Sequence, residues 1–220
     1  MKIRLSRRNI SFLLALAMSG LLAGCGGGDG GLSNDNPGNN DLNVVVAFGD
    51  SITQGRQCSC TPYPARVQSL IGKTVFNTGI GGSDATANVG RTQSAIDKYH
   101  PAFMVILYGV NDVIHGHGTG DIVSALNQMV SICKANNVVP VLMTYPIPIA
   151  GHSLFAGGTI ALNANVRSIA AAEGIECVDL EAEFMNSDGT VADASLYESD
   201  GLHPNDAGTE IMALAVADLF

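Results

Sequence analysis

The stretch NVVVAFGDSITQG, residues Asn43–Gly55, decides the fold prediction. An apolar run ends at Gly49, and Ser51 follows two residues later. A short apolar run that stops at a glycine is typical of a β-strand followed by a tight turn. The serine beyond the turn has two interpretations: it caps the next helix, or it is a nucleophile that the turn exposes. Motifs farther along the chain are needed to choose between them.

Short β-rich apolar runs alternate with longer helical patterns along the rest of the chain. The predicted strands are residues 43–48, 74–79, 103–109, 138–146 and 175–181, and the predicted helices are 63–72, 86–100, 121–137, 159–174 and 205–220. Alternation with short links predicts an α/β fold, a three-layer αβα sandwich around a five-stranded parallel sheet. In such a sheet the ligand site lies beyond the carboxyl ends of the strands.

The first 24 residues are typical of a secretory signal peptide rather than a membrane span. Four basic residues within the first eight positions precede a short apolar run at 10–24. The run ends in LLAGC, Leu21–Cys25, which resembles the lipobox of bacterial lipoproteins. The resemblance implies cleavage before Cys25 and a lipid on its thiol, with a plain signal peptide as the alternative. Because Gly26 is not an aspartate retention signal, the outer membrane is favoured if the host has one.

The sequence thus predicts three regions. Residues 1–24 are the signal peptide, 25–41 are the lipidated cysteine with a flexible Gly/Asn/Asp-rich tether, and 42–220 are one domain. The expected location is outside the cytoplasm, as a membrane-anchored lipoprotein on the periplasmic side, the outer membrane or the cell surface.

The charge balance argues against a nucleic-acid partner. The chain has 11 Lys and Arg and 20 Asp and Glu. Four of the basic residues lie in the predicted signal peptide, so the mature chain keeps 7 basic against 20 acidic side chains, a net charge of −13. Binding to phosphate backbones requires positive charge.

With Cys25 assigned to lipid, four cysteines are left in an exported and oxidising compartment. Cys58, Cys60, Cys133 and Cys177 allow three complete pairings, and the sequence does not choose among them. A bridge within the CSC tripeptide is short, so a 58–60 link stays open. No second pair of close ligands accompanies CSC, and a Cys/His metal site is not favoured there.

Four motifs fall at or near the carboxyl ends of the predicted strands. They are GDSIT with Ser51, NTGIGGSDA at 77–85, GVND with Asn111, and DGLHPN with Asp200 and His203. Each alone has an ordinary interpretation as a cap, a glycine-rich turn, an Asx turn or a loop before a helix. Four such motifs at one edge of a sheet indicate an active site instead.

Taken together, the motifs resemble those of the GDSL, or SGNH, hydrolase family, in the family's order and over essentially the whole domain. The resemblance implies a flavodoxin-like fold and four signature residues, here Ser51, Gly82, Asn111 and His203. Asp200 completes the triad, because Asp-x-x-His near the C-terminus is the family's usual arrangement.

The glycine is the least certain of these assignments. Gly82 is chosen by aligning Asn77 with the asparagine that commonly opens this block, and Gly79 and Gly81 stay open as alternatives. Ser83–Asp84 also stands where many members have Asp–Thr. The GxSxG elbow of α/β-hydrolases is absent around Ser51.

Ester hydrolysis requires these residue types. A serine hydroxyl is a poor nucleophile unless a base removes its proton during attack, and the imidazole of His203 suits that role. Asp200 would hold one ring nitrogen and stabilise the imidazolium. The oxyanion would be bound by the backbone N–H groups of Ser51 and Gly82 and by the side-chain amide of Asn111. No metal or cofactor is needed for this chemistry.

The other polar residues near the motifs receive simpler interpretations. Asp50 and Asp112 flank signature residues and are expected to brace loops. His115 and His117 form HGH just after GVND, and without a neighbouring cysteine or acidic residue a solvated rim loop is favoured over a metal site. His100 and His152 are expected to be loop residues without a role.

The predicted function is a serine esterase or lipase that hydrolyses carboxylic esters through an acyl-enzyme. The alternatives are a carbohydrate deacetylase or O-acyltransferase on the same site and, in another class, a non-catalytic binding lipoprotein. The expected partners are a small-molecule, lipid or glycan ester and the membrane. The loop after the fourth strand is either an apolar wall for an acyl chain or simply packed on the domain; its apolar side chains are Ile147, Ile149, Leu154 and Phe155.

Overall fold

A computed structural model describes residues 31–220; the predicted signal peptide and Cys25 lie outside the described residues. The strands are β1 Asp41–Gly49, β2 Thr74–Asn77, β3 Pro101–Leu107, β4 Val139–Met143 and β5 Cys177–Val178. They form a five-stranded parallel sheet in the order β2-β1-β3-β4-β5. The predicted parallel sheet is confirmed.

Helices cover both faces of the sheet, as predicted. They are α1 Ser51–Gln54, α2 Tyr63–Ile71, α3 Ala85–Tyr99, α4 Val110–His115, α5 Thr119–Ala135, α6 Ala156–Glu173, α7 Leu180–Glu183 and α8 Asp206–Ala217. In one layer α5 packs against α3 and α6, and in the other α2 packs against α8. Short 3-10 helices span Ala150–Phe155 and Ala194–Leu196.

The central strands are apolar because helices cover them on both faces. Every residue of β3 is buried, and so are the last six of β1. The order places the switch in chain direction between β1 and β3, where ligands bind in open parallel sheets. The segments that follow these two strands therefore border the expected site.

Two short helices at this edge were not predicted. The chain after β1 forms α1, and the GVND motif after β3 lies in α4 rather than in an Asx turn. Helices of four and six residues are too short to show an apolar period in the sequence. Their position is set by contacts with the sheet edge.

Residues 31–40 are the described part of the predicted tether. They lie against the domain, because asparagine side chains bond to carbonyls of the turn before β4. The Asn34 Nδ2 donates to Asn137 O at 2.8 Å and the Asn40 Nδ2 donates to Asn136 O at 2.8 Å. Polar side chains thus hold a segment whose composition offers little apolar surface to bury.

The described cysteines make one bridge. Cys58 and Cys60 form a disulfide with their Cα atoms 5.1 Å apart, whereas Cys133 is buried and free and Cys177 is half-buried and free.

Among the described helices, none is both long enough and apolar enough to cross a bilayer.

Candidate active site

Ser51 is not the cap of the helix it begins. The carboxylate of Asp50 takes that role, accepting a hydrogen bond from Ile52 N at 2.9 Å. The Ser51 hydroxyl instead contacts His203, with Oγ 2.9 Å from Nε2. The structure therefore separates the two interpretations of GDS: the aspartate caps, and the serine faces the histidine.

His203 lies 152 positions farther along the chain, in the loop before α8. Its Nδ1 is 2.6 Å from Asp200 Oδ2. The other carboxylate oxygen, Oδ1, accepts from the backbone N–H groups of Leu202 at 2.9 Å and His203 at 3.0 Å. Ser51, His203 and Asp200 thus form one hydrogen-bonded chain.

Asp200 is held as a carboxylate by this loop. Burial alone would raise the pKa of its carboxyl group. The N–H of Leu202 and the imidazole and N–H of His203 outweigh burial and lower that pKa below its ordinary value. An ionised Asp200 can accept from Nδ1–H, and in that tautomer of the neutral imidazole Nε2 is the acceptor that faces the Ser51 hydroxyl.

The glycine block contains three candidates for a donor to the cavity, and their contacts differ. Gly79 N–H donates to Asn77 Oδ1 at 3.0 Å, and Gly81 N–H donates to Gln54 Oε1 at 2.8 Å. Within the described residues, Gly82 N–H has no hydrogen-bond partner. Gly82 also lines the cavity and has a φ of 72°, a left-handed conformation that suits glycine. These contacts favour Gly82 over its neighbours.

Asn111 lies in the first turn of α4 and is held from two sides. Its Nδ2 is 3.2 Å from Asp50 Oδ2 and 3.2 Å from the carbonyl oxygen of Ser83. Asn111 lines the same cavity as Ser51 and Gly82. All the signature residues that the resemblance placed together are brought together by the fold.

Asp50 is fully buried behind Asn111. Besides Ile52 N–H, its carboxylate accepts from the Tyr145 hydroxyl, with 2.6 Å between Tyr145 Oη and Asp50 Oδ2. Burial raises the pKa of Asp50 to about 6, although the bonds from Tyr145 and Ile52 and the charge of His203 lower it. Tyr145 was not predicted, because its burial against Asp50 depends on the packing of β4 beside β3.

Asp112, the other flanking aspartate, holds the start of α3. It accepts from Ala85 N at 2.6 Å and from Thr86 N at 3.1 Å. Its contacts agree with the predicted bracing role, as do those of Asp50. The loop after β2 is thereby fastened to α4.

The cavity at Ser51 has a volume of about 380 Å³ and a largely polar lining. Arg56, Gln57 and His152 border it, and none of these was predicted. His152 Nδ1 lies 2.8 Å from the carbonyl oxygen of Asp200. No sequence signal marked these three, because they lie in irregular segments that folding brings over the serine.

The four apolar residues of the loop after β4 do not line this cavity. Ile147 is buried, with its carbonyl oxygen accepting from the Tyr197 hydroxyl at 2.9 Å, and Ile149 N donates to Gly201 O at 2.8 Å. Leu154 is 87% exposed. The apolar side chains of this loop therefore do not wall the cavity, whereas its His152 borders it.

The prediction that the HGH histidines lack an acidic neighbour is wrong. Asp84, at the start of α3, lies 2.7 Å from His115 Nδ1 and 3.5 Å from His117 Nε2. The sequence did not show this contact because 31 positions separate Asp84 from His115. The turn between β2 and α3 brings them together.

Solved structures share this fold. A protein described as a lipolytic member of the G-D-S-L family from Desulfitobacterium hafniense is 22% identical over 81% of this chain and 99% of its own, with a TM-score of 0.71. A lipase/acylhydrolase from Enterococcus faecalis is 21% identical over 80% and 93%, with a TM-score of 0.70. An acetylxylan esterase from Geobacillus stearothermophilus, in a catalytic variant, is 23% identical over 80% and 93%, with a TM-score of 0.67.

Sequence comparison identifies the family. No match was found among curated protein sequences. The model of the GDSL-like Lipase/Acylhydrolase family matches residues 47–211, which cover three quarters of the chain and contain every residue of the hydrogen-bonded cluster described above. The chain therefore belongs to the GDSL-like lipase/acylhydrolase family.

Proposed function

We propose that this protein is a serine esterase that hydrolyses carboxylic esters with short acyl groups. The observation that carries the proposal is the continuous contact Ser51 Oγ–His203 Nε2–Asp200, at 2.9 and 2.6 Å. A serine hydroxyl, an imidazole and a carboxylate in this order activate the serine without a metal. The family match supports a hydrolase of this general kind.

In the proposed reaction Ser51 Oγ attacks the ester carbonyl carbon while Nε2 of His203 takes the hydroxyl proton. The alkoxide then leaves with that proton, and the acyl group stays on Ser51. Water attacks the acyl-enzyme through the same histidine, releasing the acid. Asp200 keeps the imidazole oriented and stabilises it while it carries the proton.

The negative charge of the tetrahedral intermediate is bound by three donors in this proposal. They are the backbone N–H groups of Ser51 and Gly82 and the side-chain amide of Asn111. The two 3.2 Å contacts of Asn111 are long for N–H···O bonds. The amide can therefore exchange its contact with Ser83 for one with the oxyanion, while Asp50 keeps it aimed at the cavity.

The cavity favours a short acyl group such as acetyl. Its lining is more polar than apolar, and the four apolar side chains of the loop after β4 that would have held a long chain do not line it. Arg56 and Gln57 offer donors to hydroxyl-rich alcohols, as on a glycan.

An acyl-chain series tests this proposal. p-Nitrophenyl acetate, butyrate, octanoate and palmitate are compared on the wild-type protein, Ser51→Ala and the matched control Ser94→Ala, which changes an exposed serine on α3. We expect the highest kcat/KM with acetate, a loss of at least about 10⁴-fold in Ser51→Ala and no change in Ser94→Ala.

A fluorophosphonate probe supplies the second measurement. We expect it to label Ser51 in the wild-type protein and in the control. Full turnover by Ser51→Ala would refute the serine mechanism, and an unlabelled wild-type protein would favour a non-catalytic binding role. A preference for palmitate would refute the short-acyl assignment alone.

We further propose export and anchoring through Cys25. The support is the sequence pattern at residues 1–25, a basic start, an apolar run and LLAGC. Mass spectrometry of the protein from its native host tests this, and the expected N-terminal residue is a lipid-modified Cys25. An unmodified, freely soluble mature protein would contradict it.

A further inference from the structure

We propose that Asp84, His115 and His117 bind a divalent transition-metal cation such as Zn²⁺ at the rim of the active site. The three side chains offer one carboxylate and two imidazoles, and their ligand atoms all lie within 4.8 Å of one another. Two histidines and a carboxylate are a ligand set that Zn²⁺ takes in proteins.

The spacing of the ligand atoms fits a small cation. Corners of a tetrahedron around Zn²⁺ lie roughly 3.3 Å apart when the metal–ligand distances are about 2.0–2.1 Å. Asp84 Oδ1 lies 2.7 Å from His115 Nδ1 and Asp84 Oδ2 lies 3.5 Å from His117 Nε2, so each imidazole is near one carboxylate oxygen at a distance close to that value. Small rotations of the exposed imidazoles are enough to place all three atoms around one centre.

The backbone aims the two histidines at the same point. His115 is the last residue of α4, and Gly116 follows in the left-handed conformation, with a φ of 77°. The reversed chain is held by His117 N–H, which donates to Asp112 O at 2.9 Å. A turn at the helix end therefore returns the second imidazole to the side of the first.

Asp84 is available as a ligand because another residue, Asp112, caps the helix that Asp84 precedes. Asp84 occupies the N-cap position of α3, yet its side chain makes no capping bond. Asp112 accepts from the first N–H groups of that helix instead, those of Ala85 and Thr86. Both oxygens of Asp84 therefore face the histidines.

The site is accessible and selects a type of metal. The side chains of His115 and His117 are 47% and 41% exposed, so a cation can enter from solvent and keep positions for water. Imidazole ligands favour Zn²⁺, Ni²⁺ and Cu²⁺ over Mg²⁺ and Ca²⁺, which prefer all-oxygen sites.

A bound cation would fasten the surroundings of Asn111. Asp84 directly follows Ser83, whose carbonyl contacts the Asn111 amide. His115 lies four residues after Asn111, one turn farther along α4. A metal joining Asp84 to His115 therefore ties the glycine block to α4 beside Asn111. We expect binding to stabilise this edge of the domain.

Isothermal titration with ZnCl₂ tests the site on tag-free protein that has been treated with EDTA and exchanged into metal-free buffer. The variants are Asp84→Asn and His117→Ala, and the matched control is His100→Asn, an exposed histidine in the left-handed conformation that asparagine tolerates. We expect one Zn²⁺ per chain in the wild type and the control. Binding should weaken by at least about 10-fold in the two site variants, since even an outer partner of a ligand is worth that much.

Thermal unfolding gives a second readout that does not depend on activity. At a free Zn²⁺ concentration 100 times the Kd, the wild type should gain roughly 5–10 °C in Tm. The two site variants should gain no more than about half of that shift, because a 10-fold weaker site is less stabilised at the same free Zn²⁺ concentration, and Mg²⁺ should have no effect on any form. The same scans in EDTA show whether each variant is folded. Equal Zn²⁺ binding by all four proteins, or no binding by the wild type, would overturn the proposal.

Discussion

Two histidine–carboxylate pairs lie at the same edge of this sheet. Their nitrogen–oxygen distances are almost equal, but the exposure of their imidazoles and the partners of their carboxylates differ. His203 Nδ1 and Asp200 are 2.6 Å apart, and His115 Nδ1 and Asp84 are 2.7 Å apart. The side chain of His203 is 8% exposed, whereas that of His115 is 47% exposed. Two contacts of nearly equal length therefore differ in the exposure of their imidazoles. The pair of His203 and Asp200 is called the buried pair below, and the pair of His115 and Asp84 the exposed pair.

The surroundings decide what each pair can do. The carboxylate of Asp200 is braced by two backbone N–H groups, and the far nitrogen of His203 faces the Ser51 hydroxyl. The carboxylate of Asp84 has no such brace and is shared with His117. A carboxylate that holds one buried imidazole suits proton transfer, and a carboxylate between two exposed imidazoles suits a cation.

The largest effect should follow from breaking the buried pair with Asp200→Asn. The asparagine oxygen can still accept from Leu202 and His203 N–H, but its amide N–H₂ would then face Nδ1. The imidazole would carry its proton on Nε2 and could not accept one from Ser51. We expect a fall of about 10⁴-fold in kcat on p-nitrophenyl acetate.

Asp97→Asn is the matched control for this variant, since Asp97 is an exposed carboxylate on α3. Its kcat should equal that of the wild type. An Asp200→Asn protein that is folded and retains wild-type kcat would show that the buried pair does not orient the imidazole.

A smaller loss should follow from Asn111→Ala, which removes one proposed donor and leaves the buried pair intact. The oxyanion would lose one of three hydrogen bonds, so kcat should fall by about 10²–10³-fold. KM should change little, because the donor acts on the charge of the intermediate rather than on the bound ester. A rise in KM at unchanged kcat would place Asn111 in substrate binding instead.

Asp50, which lies behind the active site, should make the free energy of unfolding depend on pH. Its pKa is raised to about 6 in the folded chain by burial, above the ordinary 3.8. The folded state therefore holds this proton more tightly than the unfolded chain does. The free energy of unfolding should fall by roughly 3 kcal/mol between pH 4 and pH 6 from this group and stay level above.

Urea unfolding of the wild type and Asp50→Asn at intervals from pH 4 to pH 7 measures this contribution. The free energy of unfolding should depend on pH differently in the two proteins only between pH 4 and pH 6. Asp200, whose pKa is lowered, acts in the opposite sense and at lower pH: its stabilisation is present above the ordinary pKa and is lost as the pH falls below it. Parallel slopes in the two proteins would contradict the raised pKa of Asp50.

The smallest effect should follow from breaking the exposed pair. In EDTA, His115→Ala should change the free energy of unfolding by less than about 1 kcal/mol, because solvent screens an ion pair at the surface. Urea unfolding at pH 7 checks this value. A loss of several kcal/mol without metal would mean that the pair is structural in its own right.

Much of the fold could be read from local patterns. Apolar runs of strand length alternate with helical periods, and this alternation permits few arrangements other than a covered parallel sheet. The order of the motifs then identified Ser51, Asn111, Asp200 and His203, because each follows a predicted strand or precedes the last helix. Three features that the sequence did not predict depend on contacts between distant parts of the chain. They are the helix α4, the contacts of residues 31–40 with the domain, and the contact of Asp84 with the two histidines.

The sequence by itself determined the layers of the domain and the residues of its hydrogen-bonded serine cluster, since strand and helix periods and motif order are local properties. Contacts in the folded domain set which aspartate caps α1 and which glycine of the block keeps a free N–H. They also place the apolar side chains of the loop after β4 away from the cavity. The tertiary structure alone brought Asp84 to His115 and His117. The physical reason is that burial and hydrogen-bond partners are set by residues far away in the chain, which no local pattern encodes.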